Sequence, residues 1–503
     1  MRSDADIQNL VPRLIIGVAV VLIGLYLGKM VPTNMVMAGA VVTLAFLIFL
    51  LVTRPHYFTL LLLFFMFEAF SLVDVDSFGR LPGLFRAKDA LLFLLLAYTM
   101  ATAALGGTPL REARQSQLFK VLLAFLAFVA LQMMRTHFLL GERFMLLFRA
   151  GRHFLTYGMA LFLIIYFRDA RRWRLLMRWA FGVILLIFGL NMLRFFGVQL
   201  PFYATGMGDA WIVGAVKFYN PAMCLSFWFF LHAFWSFCTK PSGRGMVYLG
   251  LMTTIVMTYS FRALWSGLLA GMFVTWLMVP NRVKSRSALL FTIVMISAVT
   301  VAVIGIAFSE RGDSIAEAFA TFMRYVSSTV TDLVNVEGSY YSRSVVDAQR
   351  IPLIKEHPLM GIGFVSVFGE IALDMWMQGN LPVGTVDTGW IDLLLKLGGI
   401  GVVVLGVLFV QIIRVNHRLL KTSDPQRVED RSWMLANIGY IVLITTSSVA
   451  AALPSWEPGI VTVAMIIAQT MRFELGVDQN STAKDAPLAQ ASAKIIAPMP
   501  NQV

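Results

Sequence analysis

Apolar runs long enough to cross a bilayer recur along almost the whole chain, and no other feature restricts its fold as much. A hydrocarbon core about 30 Å thick demands roughly 20 residues of helix. Runs of about that length fall at 12–30, 34–53, 56–74, 88–105, 118–138, 153–167, 176–196, 221–238, 246–260, 263–280, 288–308, 389–413, 433–453 and 457–471. Lipid offers no partner to an open backbone, so each run is expected to be helical. The expected fold is an all-α polytopic membrane protein with about fourteen transmembrane helices. A composition that is 58% hydrophobic and only 14% charged agrees with that class. The first run, "LIIGVAVVLIGLYLGKMV", is too long for a signal-peptide core and has no small-residue cleavage site, so it is expected to stay.

Lysine and arginine in short loops fix the orientation, because the cytoplasmic side retains positive charge. With the N-terminus inside, the loops "RDARRWR" at 168–174, "TKPSGRG" at 239–245, "NRVKSRS" at 281–287 and "RVNHRLLKTSDPQRVEDR" at 414–431 all fall inside. The expected organisation is helices one to eleven in 1–308, one large external loop at 309–388, three more helices in 389–471, and a disordered cytoplasmic tail at 472–503. That loop opens with "SIAEAFATFMRYVSSTVTDLVNV", an amphipathic pattern suited to lying on a bilayer surface.

The net charge of +13 would suggest nucleic acid in a soluble protein, but positive-inside loops and attraction to anionic lipid account for much of it. No nucleic-acid partner is expected. Cys224 and Cys238 stand near opposite ends of one run, so no disulfide is expected. The histidines lack ligand spacing, and no glycine-rich phosphate loop appears, so neither a metal nor another cofactor is expected.

The cations that topology does not explain carry more information. On the external side, or at membrane depth near it, fall Arg135, Arg143, Arg149, Arg152, Lys217, Arg262, Arg324, Arg343, Arg350 and Lys355. Arg262, in "TYSFRALWSG", sits between two apolar runs with no real loop. Intramembrane arginine is kept for a partner or a pathway, or else snorkels to the headgroups. If 342–351 is helical, Arg343, Asp347 and Arg350 share a face, where guanidinium forks could meet phosphate oxygens or Arg343 could simply pair with Asp347.

Arg343, then "HPLMGIGF" at 357–364, then "VDTGWIDLLLKLGGIG" at 386–401, resembles the O-antigen ligase and polymerase superfamily of bacterial envelope enzymes in order and spacing. In that resemblance Gly398 and Gly401 take the terminal glycine pair, Trp390 the aromatic position, and Lys396 a place near a usual glutamate. "TYSFRALWSG" likewise looks like the family's arginine-bearing helix junction, and "KFYNPAMCLSFWFF", from Lys217, like an asparagine-proline helix start with Ala222 in place of a second asparagine. The motifs cover roughly 160 residues of the second half, from about 250 to 405; the first half agrees only in hydropathy and helix number.

The resemblance implies a glycosyltransferase-C-like bundle in the bacterial inner membrane, with its large loop and active site facing the periplasm. It implies an undecaprenyl-diphosphate-linked glycan as donor, an acceptor glycan, membrane lipid around both, a chain-length regulator as an admissible partner, and no metal. Arg262 and Arg343 match the diphosphate-binding arginines, with Arg350, Arg149, Arg152 and Lys217 as supplementary contacts. Where ligases of the family carry a histidine, this chain has Asp387, which can accept the acceptor's proton, cap the following helix, or do both. Glu370 and Asp374 are the next candidates. Trp390 and Tyr341 are the aromatic residues expected against sugar, although interfacial belts use such residues too. The favoured reading is an inverting polymerase of repeat units. A ligase moving a finished glycan to a lipid or protein acceptor, and a lipid-linked glycan transporter or flippase, are the alternatives.

Overall fold

A computed structural model describes residues 35–67, 87–104, 113–195, 198, 222–259, 262–307, 347–348, 350–365, 389–423, 427–448, 454 and 457–476. Among these residues the regular structure is helical and no strand occurs. The first expected run at 12–30 and the amphipathic stretch at 314–336 lie outside them.

The helices are α1 (Met35–Thr53), α2 (Pro55–Met66), α3 (Ala87–Ala104), α4 (Gln117–Leu140), α5 (Phe144–Leu155), α6 (Met159–Tyr166), α7 (Ala170–Phe195), α8 (Met223–Thr239), α9 (Gly243–Met257), α10 (Arg262–Met278), α11 (Asn281–Ala307), α12 (Gly389–Thr422), α13 (Val428–Ser447) and α14 (Glu457–Glu474). A 3₁₀ turn, Thr156–Gly158, joins α5 to α6. By length and composition α4, α7 and α12 hold segments able to cross a membrane, and α2, α8 and parts of α1, α3 and α10 are shorter apolar helices.

Local chemistry sets several of the ends. Ser116 caps α4 by accepting from Phe119 N at 3.3 Å, and Ser242 caps α9 by accepting from Gly245 N at 3.0 Å. α14 runs past its expected end at 471 to Glu474, because Arg472 is buried against Trp173 and Glu474 is held by Ser116 and Arg418.

Helices α8, α13 and α14 form the centre, each buried along most of its length. Backbone contact brings α10 onto α13: a Cβ added to Gly271 would stand 2.3 Å from Gly439 O. Small residues permit such approaches where lipid is as apolar as the side chains and gives no hydrophobic drive. A buried polar chain stitches the core, from Trp228 Nε1 to Asn437 Oδ1 at 2.9 Å, from Asn437 to Asn416 at 3.4 Å, and from Asn416 to Thr470 Oγ1 at 2.9 Å. It joins α8, α13, α12 and α14, and each bond removes a polar group from lipid.

Within α12 the backbone breaks at Gly398, which has φ 65° and ψ −176°. A break leaves amides and carbonyls without intrahelical partners, and in a membrane they must find others. Residues 357–365 provide them. Gly399 N donates to Pro358 O at 2.8 Å, Ile400 N to Leu359 O at 3.1 Å, and Ile362 N to Leu395 O at 2.8 Å. Leu353, Ile362, Val365 and Leu395 close a small apolar cluster under this joint.

Candidate functional site

The joint lies at one end of the bundle, and α4 clamps it from the side. Gln132 Nε2 donates to Lys396 O at 3.0 Å and also to Met360 O. Arg135 Nη1 donates to Gly361 O at 3.0 Å, and Phe364 N donates to Thr136 Oγ1 at 3.1 Å. These three side chains occupy successive positions of one face of a mostly apolar helix. Phe364 enters between α4 and α5, beside Gly151 and Met133 and 5.4 Å from the ring of Phe154. The segment expected to belong to a large loop is thus part of the helix packing over 357–365.

The same end gathers the other helix termini. Ser447 Oγ, at the close of α13, donates to Ala263 O in the first turn of α10 at 2.8 Å. Trp390 N donates to Ser448 O at 3.2 Å, which ties the start of α12 to the close of α13. Tyr157 OH donates to Pro454 O at 3.0 Å, just before α14. His153 Nδ1, in the last turn of α5, stands 3.5 Å from Glu457 Oε2 in the first turn of α14.

Arg262 is the first residue of α10, Arg149 and Arg152 lie in α5, and Arg152 is 5% exposed. Backbone at 347–348 and 350–356 is helical and Arg350 is 3% exposed, while 342–346 of the expected arginine-bearing helix lie outside the described residues. So Arg152 and Arg350 both turn into the protein rather than toward solvent, and Arg262 opens a helix at the same end. Trp390 is partly buried, and its indole N–H is taken by Thr445 O at 3.1 Å. Asp387, Arg343, Lys217, Tyr341, Glu370 and Asp374 lie outside the described residues.

Sequence reasoning missed three features. Asp392 is fully buried in α12, where Lys396 Nζ donates to its Oδ2 at 3.0 Å and lies 2.8 Å from Oδ1. The i, i+4 spacing was its only signal. Of the Gln132, Arg135 and Thr136 clamp, only Arg135 stood out in the sequence, as an external cation, and its target did not. The His153 and Glu457 pair had no local signal, since its members come from distant helices.

Among the described residues, no three His, Cys, Asp or Glu side chains converge as metal ligands, and both cysteines are free and buried. No family model matches this chain, and no curated protein is similar to it.

Proposed function

We propose that the chain is an inverting, metal-independent glycosyltransferase that joins undecaprenyl-diphosphate-linked repeat units into a surface or secreted polysaccharide. In this reading about fourteen transmembrane helices form a glycosyltransferase-C-like bundle in the bacterial inner membrane, with one large periplasmic loop over the site. The observation that carries it is the docking of 357–365 into the break at Gly398, at the end where α10 opens with Arg262 and where Arg152 and Arg350 are buried. The two segments that carry the resemblance are bonded to each other, and cations from three separate stretches of chain share their end of the bundle.

The chemistry follows from charge. An acceptor hydroxyl attacks the anomeric carbon, the bond from that carbon to the diphosphate oxygen breaks, and undecaprenyl diphosphate leaves with the electron pair. Guanidiniums preorganised in a partly dehydrated cleft stabilise the charge that develops. Arg262 and Arg343 are assigned that role, with Arg350, Arg149, Arg152 and Lys217 around them.

A transporter also gains some support, because broken helices at membrane depth bind substrates in secondary transporters. At Gly398, however, the freed amides are already bonded to Pro358 and Leu359, so the break serves the fold rather than an ion. Purified protein given lipid-linked repeat unit alone separates the readings. A ladder of products supports the polymerase; transfer only after a lipid or protein acceptor is added indicates a ligase; translocation without new bonds indicates a transporter. Arg262→Ala and Arg343→Ala should each cost about 1.5–3 kcal/mol of transition-state stabilisation. Lysine at either position should rescue only in part, because it cannot fork.

A further inference from the structure

We propose that His153, oriented by Glu457, is the group that takes the proton from the acceptor hydroxyl during transfer. This rests on the glycan-transfer reading above, and it gives His153 the proton that the sequence alone would assign to Asp387.

The geometry has three parts. Glu457 is 7% exposed, so a carboxylate is held inside the bundle at the first turn of α14, where helix amides favour negative charge. His153 Nδ1 is buried and faces that carboxylate at 3.5 Å, while 32% of the His153 side chain remains exposed. A carboxylate beside Nδ1 favours the tautomer with hydrogen there, which leaves Nε2, on the opposite edge of the ring, as the proton acceptor. The pair also lies in the same stretch of α5 as a diphosphate-binding candidate, since Arg152 precedes His153 in the chain, and Phe154 follows it onto Phe364 of the docked segment. Imidazole is suited to the work, because it accepts a proton near neutrality without being fully protonated beforehand.

The step balances. The hydroxyl oxygen forms the new bond to the anomeric carbon, its proton passes to Nε2, and the electron pair of the broken bond leaves on the diphosphate. Glu457 is a positioning residue: it holds the ring and stabilises the imidazolium that forms, and the proton passes on to solvent before the next turnover.

The test uses full-length protein in detergent with lipid-linked repeat unit, following ladder formation. His153→Ala should lower kcat by about 10²–10⁴ with KM changed less than about twofold, and added imidazole should restore at least about tenfold. His153→Asn keeps a polar group toward Glu457 but cannot accept the proton, so it should be as inactive as the alanine variant while melting like wild type. Glu457→Gln should lower kcat with little effect on KM. If neither His153 variant folds, diethyl pyrocarbonate on the native protein decides, with loss of activity expected to track carbethoxylation of His153. Near wild-type turnover in a His153 variant, loss that imidazole leaves unrestored in a folded His153→Ala protein, or inactivation unrelated to His153 would overturn the assignment while leaving polymerase activity standing. An inactive wild type overturns both.

Discussion

Lys396 brings a charge into the apolar first part of α12, and Asp392 one turn earlier neutralises it inside the protein, with side-chain exposures of 12% and 0%. Removing one member of a buried pair costs about 3–5 kcal/mol, because the other is left charged without a partner. Lys396→Met should therefore lower the melting temperature sharply in detergent, and adding Asp392→Leu should recover most of the loss. Simple addition of the two losses would mean that they do not act as a pair. Asp387 poses the converse question, since its expected roles are chemical and structural at once. With His153 as proton acceptor, Asp387→Asn should be nearly silent, because asparagine caps a helix as well as aspartate does. Asp387→Ala should cost about 1 kcal/mol of stability with little change in turnover. A fall of about 10²–10⁴ in turnover for the asparagine variant would return the proton to Asp387.

At the scale of elements, α12 turns on the difference between two of its glycines. Gly398 has positive φ, and a Cβ there would stand 2.3 Å from Leu359 O and 2.4 Å from Gly361 N. Gly398→Ala should eject 357–365 from the joint, seen as lost monodispersity and new proteolysis near 360. Gly406, in the helical second half, has open space around its Cβ position, so Gly406→Ala should be neutral or gain up to about 1 kcal/mol. Equal behaviour of the two variants would refute the joint. Hydropathy made most helix positions legible, because a buried or lipid-facing helix must be apolar whatever its neighbours. It misplaced some starts: α5 begins at Phe144, whereas the run expected there begins at 153, since Arg149, Arg152 and His153 interrupt the apolar window without interrupting the helix. In α7 the basic "ARRWR" is likewise helical ahead of the expected run. The break at Gly398 was hidden inside "LGGIG", which reads as a tolerant apolar stretch. Only the paired motifs hinted that 357–365 would meet it, and nothing local could reveal that His153 faces Glu457.

For the whole molecule, charge is the organising quantity: a net +13 is split between basic stretches at one set of helix ends, helical over 170–174, 281–287 and 414–422, and arginines at the other. If those arginines offset the diphosphate, transfer should proceed undiminished in excess EDTA, measured as ladder formation against an untreated control. A strict need for added magnesium or manganese would contradict both the arginine assignment and the resemblance behind it. The clamp on α4 also bears on how the protein is made. Gln132 is bonded to the backbone of Lys396, 264 residues later in the chain. At about 5–20 residues per second, a ribosome needs roughly 13–53 s to deliver that partner. Through that interval Gln132, Arg135 and Thr136 must be held by the insertion machinery, by water at the membrane surface or by one another. The early half of the bundle is then a half-built frame with its polar fasteners open until the docked segment and α12 arrive, and α13 and α14 still have to fill its centre after that.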